Sequence, residues 1–203
     1  MEDDRAARWR HYYRQTGGRP PRQTLLLALE RFAAEAPGSR ARFAVDLGCG
    51  PGRDTVELLR RGWSVLAIDA EPGAIEELKG RGDLPPGASL QTRVARFEEA
   101  DWPECDLVNA SFALPLCPPE RFPALWRRIV ASLRPGGRFC GQLYGERDGW
   151  ASERGMTHLS RAAAEALLSA LELEQFHEEE EDSITPRGKP KHWHVFHIVA
   201  RKP

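Results

Sequence analysis

The chain has 203 residues, of which 41% are hydrophobic and 29% charged, and its formal net charge is −1. That balance predicts one globular domain with a short appendage, and no surplus of positive charge to hold nucleic acid by its phosphates. No apolar run reaches the ~18–20 residues that cross a bilayer, and the charged start MEDDRAARWR is unlike a secretory signal, so a cytoplasmic protein without membrane association is expected.

Cys49, Cys105, Cys117 and Cys140 form no CxxC pair and read as reduced thiols, with neither a disulfide framework nor a zinc site. Residues 1–22 form an arm in which Trp9, Tyr12 and Tyr13 stand among six arginines, and TGGRPP punctuates its end. Residues 23–203 form the main domain. Leu25, Leu26, Leu29 and Phe32 recur at helical spacing, which predicts a helix from Pro21 to about Ala36, stopped by Pro37 and Gly38.

Short apolar runs and helical segments then alternate. FAVDL (43–47) reads as a buried strand, RDTVELLRRG (53–62) as a helix, WSVLAID (63–69) as a strand and EPGAIEELKG (71–80) as a helix. LQTRVARF (90–97) and CDLVNASF (105–112) read as the third and fourth strands. PERFPALWRRIVASL (119–133) is helical, and GRFCGQLYG (137–145) is a fifth strand after the RPGG turn. This order predicts right-handed crossovers and a mostly parallel sheet with helices on both faces. After a helix over 160–171, ELEQFHEEEE (172–181) and HWHVFHIVAR (192–201) have no helix between them and are expected to pair as an antiparallel hairpin. The acidic run Glu178–Asp182 reads as a solvated edge balanced by Arg187, Lys189 and Lys191.

The most informative stretch is Val45-Asp46-Leu47-Gly48-Cys49-Gly50-Pro51-Gly52-Arg53-Asp54, between a predicted strand and a predicted helix. Alternating glycines let the backbone turn tightly and approach a ligand, and the helix that follows presents free N–H groups. The spacing is not the GxGxxG of a dinucleotide loop, which disfavours a nicotinamide-dependent dehydrogenase, and the acidic lead-in suits a ligand bearing a cation. Asp69 ends the second predicted strand, where a carboxylate can accept from both hydroxyls of a ribose; capping the next helix is the alternative.

DLGCGPGRD followed by VLAIDAEP resembles the first two signature motifs of class I S-adenosylmethionine-dependent methyltransferases, and the likeness runs through most of residues 43–144. The resemblance implies a Rossmann-like α/β fold, a seven-stranded sheet ending in the antiparallel hairpin, with a layout similar to tellurite-resistance-type and thiopurine-type methyltransferases. It implies S-adenosylmethionine as cofactor. The loop Gly48, Cys49, Gly50 and Gly52 would wrap the amino-acid part, Asp54 would also bind the cofactor, and Asp46 would organise the loop and sit near the amino group. Asp69 and Ala70 would hold the ribose, Phe97 and Glu98 the adenine, and Asn109 and Ala110 would run beneath the methionine.

A small-molecule methyl acceptor is expected beside Ser111, Phe112, Tyr144 and Trp150, with Tyr13 and Arg19 brought over it by an arm acting as a lid. Catalysis by alignment and desolvation needs no acid or base, and Tyr13, His192 and His194 are the candidates where a base is used. His192 and His194 share one strand face, but no Asp or Cys near them in sequence completes a ligand set, so no metal is expected. Two other functions remain open: a nucleic-acid methyltransferase, disfavoured by the charge and by Asn109-Ala110-Ser111-Phe112 lacking prolines, and a non-catalytic cofactor-binding partner. A monomer or a homodimer fits either.

Overall fold

The computed structural model describes residues 18–35, 41–153, 155–185 and 188–203. Helix α1 (Gln23–Glu35) leads into β1 (Phe43–Leu47), α2 (Arg53–Arg60), β2 (Ser64–Asp69), α3 (Pro72–Lys79) and β3 (Leu90–Val94). After β4 (Cys105–Ala110) come a 3-10 turn (Leu114–Leu116), α4 (Phe122–Ser132) and β5 (Leu133–Gly145). The chain closes with β6 (His158–Leu159), α5 (Arg161–Leu167), β7 (Glu172–Ile184) and β8 (Pro190–Arg201). The sheet order is β3-β2-β1-β4-β5-β8-β7, parallel except for β8, with the two-residue β6 beside the end of β5.

Burial explains the order. All six residues of β4 are buried, as expected of a central parallel strand covered on both faces. Successive side chains feed opposite layers: Val45, Val108 and Phe139 join Leu125, Trp126 and Ile129 of α4 on one face. Ala44, Leu107 and Cys140 join Leu25, Leu29 and Phe32 of α1 on the other. The fully buried Arg138 ties α1 to the hairpin, donating to Glu35 (2.6 and 3.0 Å) and to Glu174 (2.7 and 2.8 Å).

The predicted Rossmann-like architecture and terminal hairpin are present, with three differences. β5 begins at Leu133 because Arg134–Gly137 stays in the strand: Gly136 adopts a left-handed φ of 79° and donates to Lys202, while β4 shifts register opposite. The hairpin pairs from Glu172 with Arg201 to Ile184 with Pro190, so its turn is shorter than the sequence suggested. β6 adds an eighth strand. Of the arm only residues 18–22 are described; Tyr13 and the expected lid lie outside the described residues, as does Arg187. No described helix is long and apolar enough to cross a membrane, and all four cysteines are buried free thiols.

Candidate functional site

Strand order reverses between β1 and β4, and in such sheets the crevice outside the carboxyl ends of the strands is where ligands bind. A cavity of about 760 Å³ opens there. One end is lined by Gly48, Asp69, Ala70, Glu71, Phe97 and Glu98, and the other by Phe112, Tyr144, Trp150, Met156 and Trp193. Arg19, Arg22 and Ser111 lie on the wall as well.

The first end is built by the glycine loop. Gly48 and Cys49 both donate to the carbonyl of Ile68, pinning the loop to β2. Asp69 then accepts from Gly50 N and from Glu71 N, each at 2.8 Å, so one carboxylate closes the loop and orients the start of α3. Asp69 thus organises the local backbone and also faces the cavity, while the N-cap of α3 is Glu71, so Asp69 is not itself the cap of that helix. Gly48 has φ 68° and a Cβ there would sit 2.5 Å from that of Ala113; a Cβ on Gly52 would overlap Leu78. These two glycines are required by packing against their own chain, not only by a ligand's approach. Phe97 and Glu98 are buried, and Arg96 donates to the Glu98 carboxylate at 2.6 Å.

Beneath the loop lies a buried polar cluster. Asp46 accepts from Asn109 (2.8 Å) and Thr55 (2.5 Å), while Asp54 accepts from Asn109 (3.2 Å), Ser111 (2.6 Å) and the main chain of Arg22 (2.9 Å). Burial, then the Asp54 charge, push Asp46 up to about 7, far above its ordinary 3.8. Asp46, Asp54 and Asn109 thus support the wall from behind and do not line it, and Cys49, Gly50, Gly52 and Ala110 are likewise off the cavity surface. The Cys49 side chain turns into the core shared by α1 and α2.

The second end is aromatic. Phe112, Tyr144 and Trp193 pack edge to face with centroids 6.1–6.4 Å apart, and Trp150 lies 5.8 Å from Trp193. Phe112 is the one described non-glycine residue with positive φ (54°), and Gln142 Oε1 accepts from its N–H at 3.0 Å. Behind these rings the buried ammonium of Lys191 sits 3.5–4.4 Å from the centroids of Trp193, Trp150 and Tyr144 and donates to Asp148 at 2.8 Å. Lys191 therefore does not balance the acidic run.

The structure does not bring His192 or His194 to the cavity; both face the other side of β8, away from Trp193. Buried His194 accepts from Arg147 N at Nδ1 (3.1 Å), which assigns the hydrogen to Nε2, where it is donated to Glu178 (2.8 Å). His192 pairs with Asp182 and Glu180. Glu178, Glu180 and His194 approach like metal ligands, but Arg147 and Arg161 donate to these carboxylates at 2.6–3.0 Å, an ion-pair network with its charge already balanced. His197, on the same β8 face as Trp193, packs against the Phe112 ring and is bonded to Glu179 at 3.1 Å. Neither His197 nor the wall residues Arg22, Glu179 and Trp193 were anticipated; reading β8 as an alternation beyond its histidines would have found two of them.

Residues 44–137 match the family described as a methyltransferase domain. A carboxy-S-adenosyl-L-methionine synthase of Citrifermentans bemidjiense is 34% identical over 99 residues, 45% of this chain and 40% of that protein. A trans-aconitate 2-methyltransferase of Methylobacterium nodulans is 35% identical over 112 residues, 54% of this chain and 41% of that one. The matches span about two fifths of the length of these relatives. The crystal structure of TehB from Haemophilus influenzae superposes with a TM-score of 0.78 at 15% identity, covering 95% of this chain and 66% of that one, a likeness of fold. Strand order, glycine loop and family match converge on the same stretch: residues 44–137 match a methyltransferase domain, set in an α/β sheet of the kind its structural neighbours share.

Proposed function

We propose that the protein transfers a methyl group from S-adenosylmethionine to a small organic acceptor. The observation that carries this is one continuous cavity joining the Gly48–Asp69 end to the Phe112–Trp193 end. A nucleoside carrying an amino acid fits the first end. Asp69 offers a carboxylate for the ribose, Phe97 an apolar wall and Glu98 an acceptor for the adenine, while main chain without a side chain faces the ligand at Gly48. The cofactor's methyl sulfonium supplies an already activated methyl group.

The chain's part is then mostly positioning. The strained Phe112, held by Gln142, and the rings of Tyr144 and Trp193 would hold the acceptor in line and exclude water, where a desolvated nucleophile reacts faster. A base is not required for a soft or anionic acceptor, and His192 and His194 are too far round the strand to supply one. The trans-aconitate enzyme among the relatives is named for a small organic acceptor, which supports this scale of substrate. Incubation with S-adenosylmethionine and a panel of small thiols, phenols and acids, scored by release of S-adenosylhomocysteine, tests the reading. Turnover of at least one class is expected; cofactor binding with no turnover of any class would leave a binding protein instead.

A further inference from the structure

Resting on the function proposed above, we infer that the acceptor is a planar aromatic or conjugated acid, its ring against Phe112 and Trp193 and its carboxylate on Arg22. Two observations carry this. The Arg22 guanidinium lies 4.3 Å from the centroid of Phe112, on the cavity wall, and no carboxylate pairs with it among the described residues. A guanidinium stacked on the ring that would receive a planar substrate is placed to accept an anion at that substrate's edge, by the bidentate geometry arginine favours. Its main-chain N–H, bonded to Asp54, fixes where the side chain begins.

The second observation is Lys191. An aromatic box of Tyr144, Trp150 and Trp193 is the arrangement that recognises cationic ligands, yet here the chain's own ammonium already occupies it from behind, balanced by buried Asp148. The pull of those rings on a cation is thus spent internally, and a cationic acceptor would meet the Lys191 and Arg22 charges. The carboxylates at the same end argue the other way only weakly: Glu179 is engaged by His197, and Glu153 and Glu181 are exposed to solvent.

The test uses one ring system in three charge states: 2-naphthoate, 2-naphthylmethylammonium and 2-naphthalenemethanol, titrated calorimetrically into the full chain with and without S-adenosylhomocysteine. The acid should bind at least ten-fold more tightly than the ammonium. Arg22→Gln, which keeps the main-chain bond to Asp54, should weaken the acid about ten-fold, the lower end for a charge-assisted pair at a half-exposed site, and change the alcohol less than two-fold. Lys191→Met should narrow the gap between acid and ammonium. Tighter binding of the ammonium, or an acid affinity indifferent to Arg22→Gln, overturns the inference. Failure of the functional reading shows separately, as absence of S-adenosylhomocysteine binding in the same titrations.

Discussion

Asp46 is the residue at which the site is built at the fold's expense, and the size of that expense follows from its surroundings. Its carboxylate is buried beside Asp54, and its folded-state value of about 7 compares with 3.8 in an unfolded chain. Between these limits the native protein holds one proton more than the unfolded chain. The resulting stability is therefore fully present below about pH 4 and lost as pH rises through 7, at ~1.4 kcal/mol per pH unit. Between pH 5 and 7.5 the loss amounts to roughly 2–3 kcal/mol. Asp46→Asn removes the titration while its carboxamide can still accept from Asn109 and donate to the Thr55 hydroxyl. His158 and His197, both pulled down by burial, titrate in either protein and cancel in the difference. Thermal melts of the cofactor-free protein from pH 5 to 8 should show the variant gaining on wild type by ~5–10 °C across this window, at ~2–4 °C per kcal/mol for a chain of this size. Saturating S-adenosylhomocysteine, whose ammonium group would favour the ionised carboxylate, should flatten the wild-type slope. Parallel melting curves for the two proteins would refute the reasoning.

Two structural predictions follow from the same packing. Arg138→Met strands Glu35 and Glu174 and should lower stability by about 3 kcal/mol, read from urea unfolding; because Glu35 is partly exposed, the loss should be smaller than for a fully enclosed pair. Gly145→Ala places a methyl group on the His194 imidazole and should cost ~1–3 kcal/mol by overpacking, with Gly145→Ser no better; a melt unchanged by either would mean that this strand end yields easily. Trp193→Ala opens the aromatic wall and should reduce turnover of a ring-bearing acceptor at least ten-fold while leaving S-adenosylhomocysteine affinity within two-fold, compared by steady-state kinetics and calorimetry.

The parts of the site that sequence revealed are those with a local rule. A glycine run between an apolar strand and a helix can only be a turn, and Asp69 at the next strand tip lies beside it in any parallel sheet. The second end of the cavity had no such rule. In HWHVFH both strand faces are buried, Phe196 on one side and Val195 on the other, so alternation did not show which face meets solvent, and the polar histidines drew the reading to His192 and His194. Arg22 and Lys191 are single cations in a chain with 29 Lys and Arg, and their partners, Phe112 and Asp148, are far away in sequence. The RPGG segment reads as a turn by composition, yet Gly136 in its left-handed conformation lets the strand continue through it.

Calorimetric titration with S-adenosylhomocysteine tests most directly whether the Gly48–Asp69 end of the cavity holds S-adenosylmethionine. Wild type should bind at roughly micromolar affinity, about 8 kcal/mol. Asp69→Ala should lose ~1.5–3 kcal/mol through the ribose hydroxyls, and Asp69→Asn, which keeps an acceptor for Gly50 N, should lose most of the same with its melt closer to wild type. No binding by wild type, or affinity unchanged in both folded variants, would contradict the account.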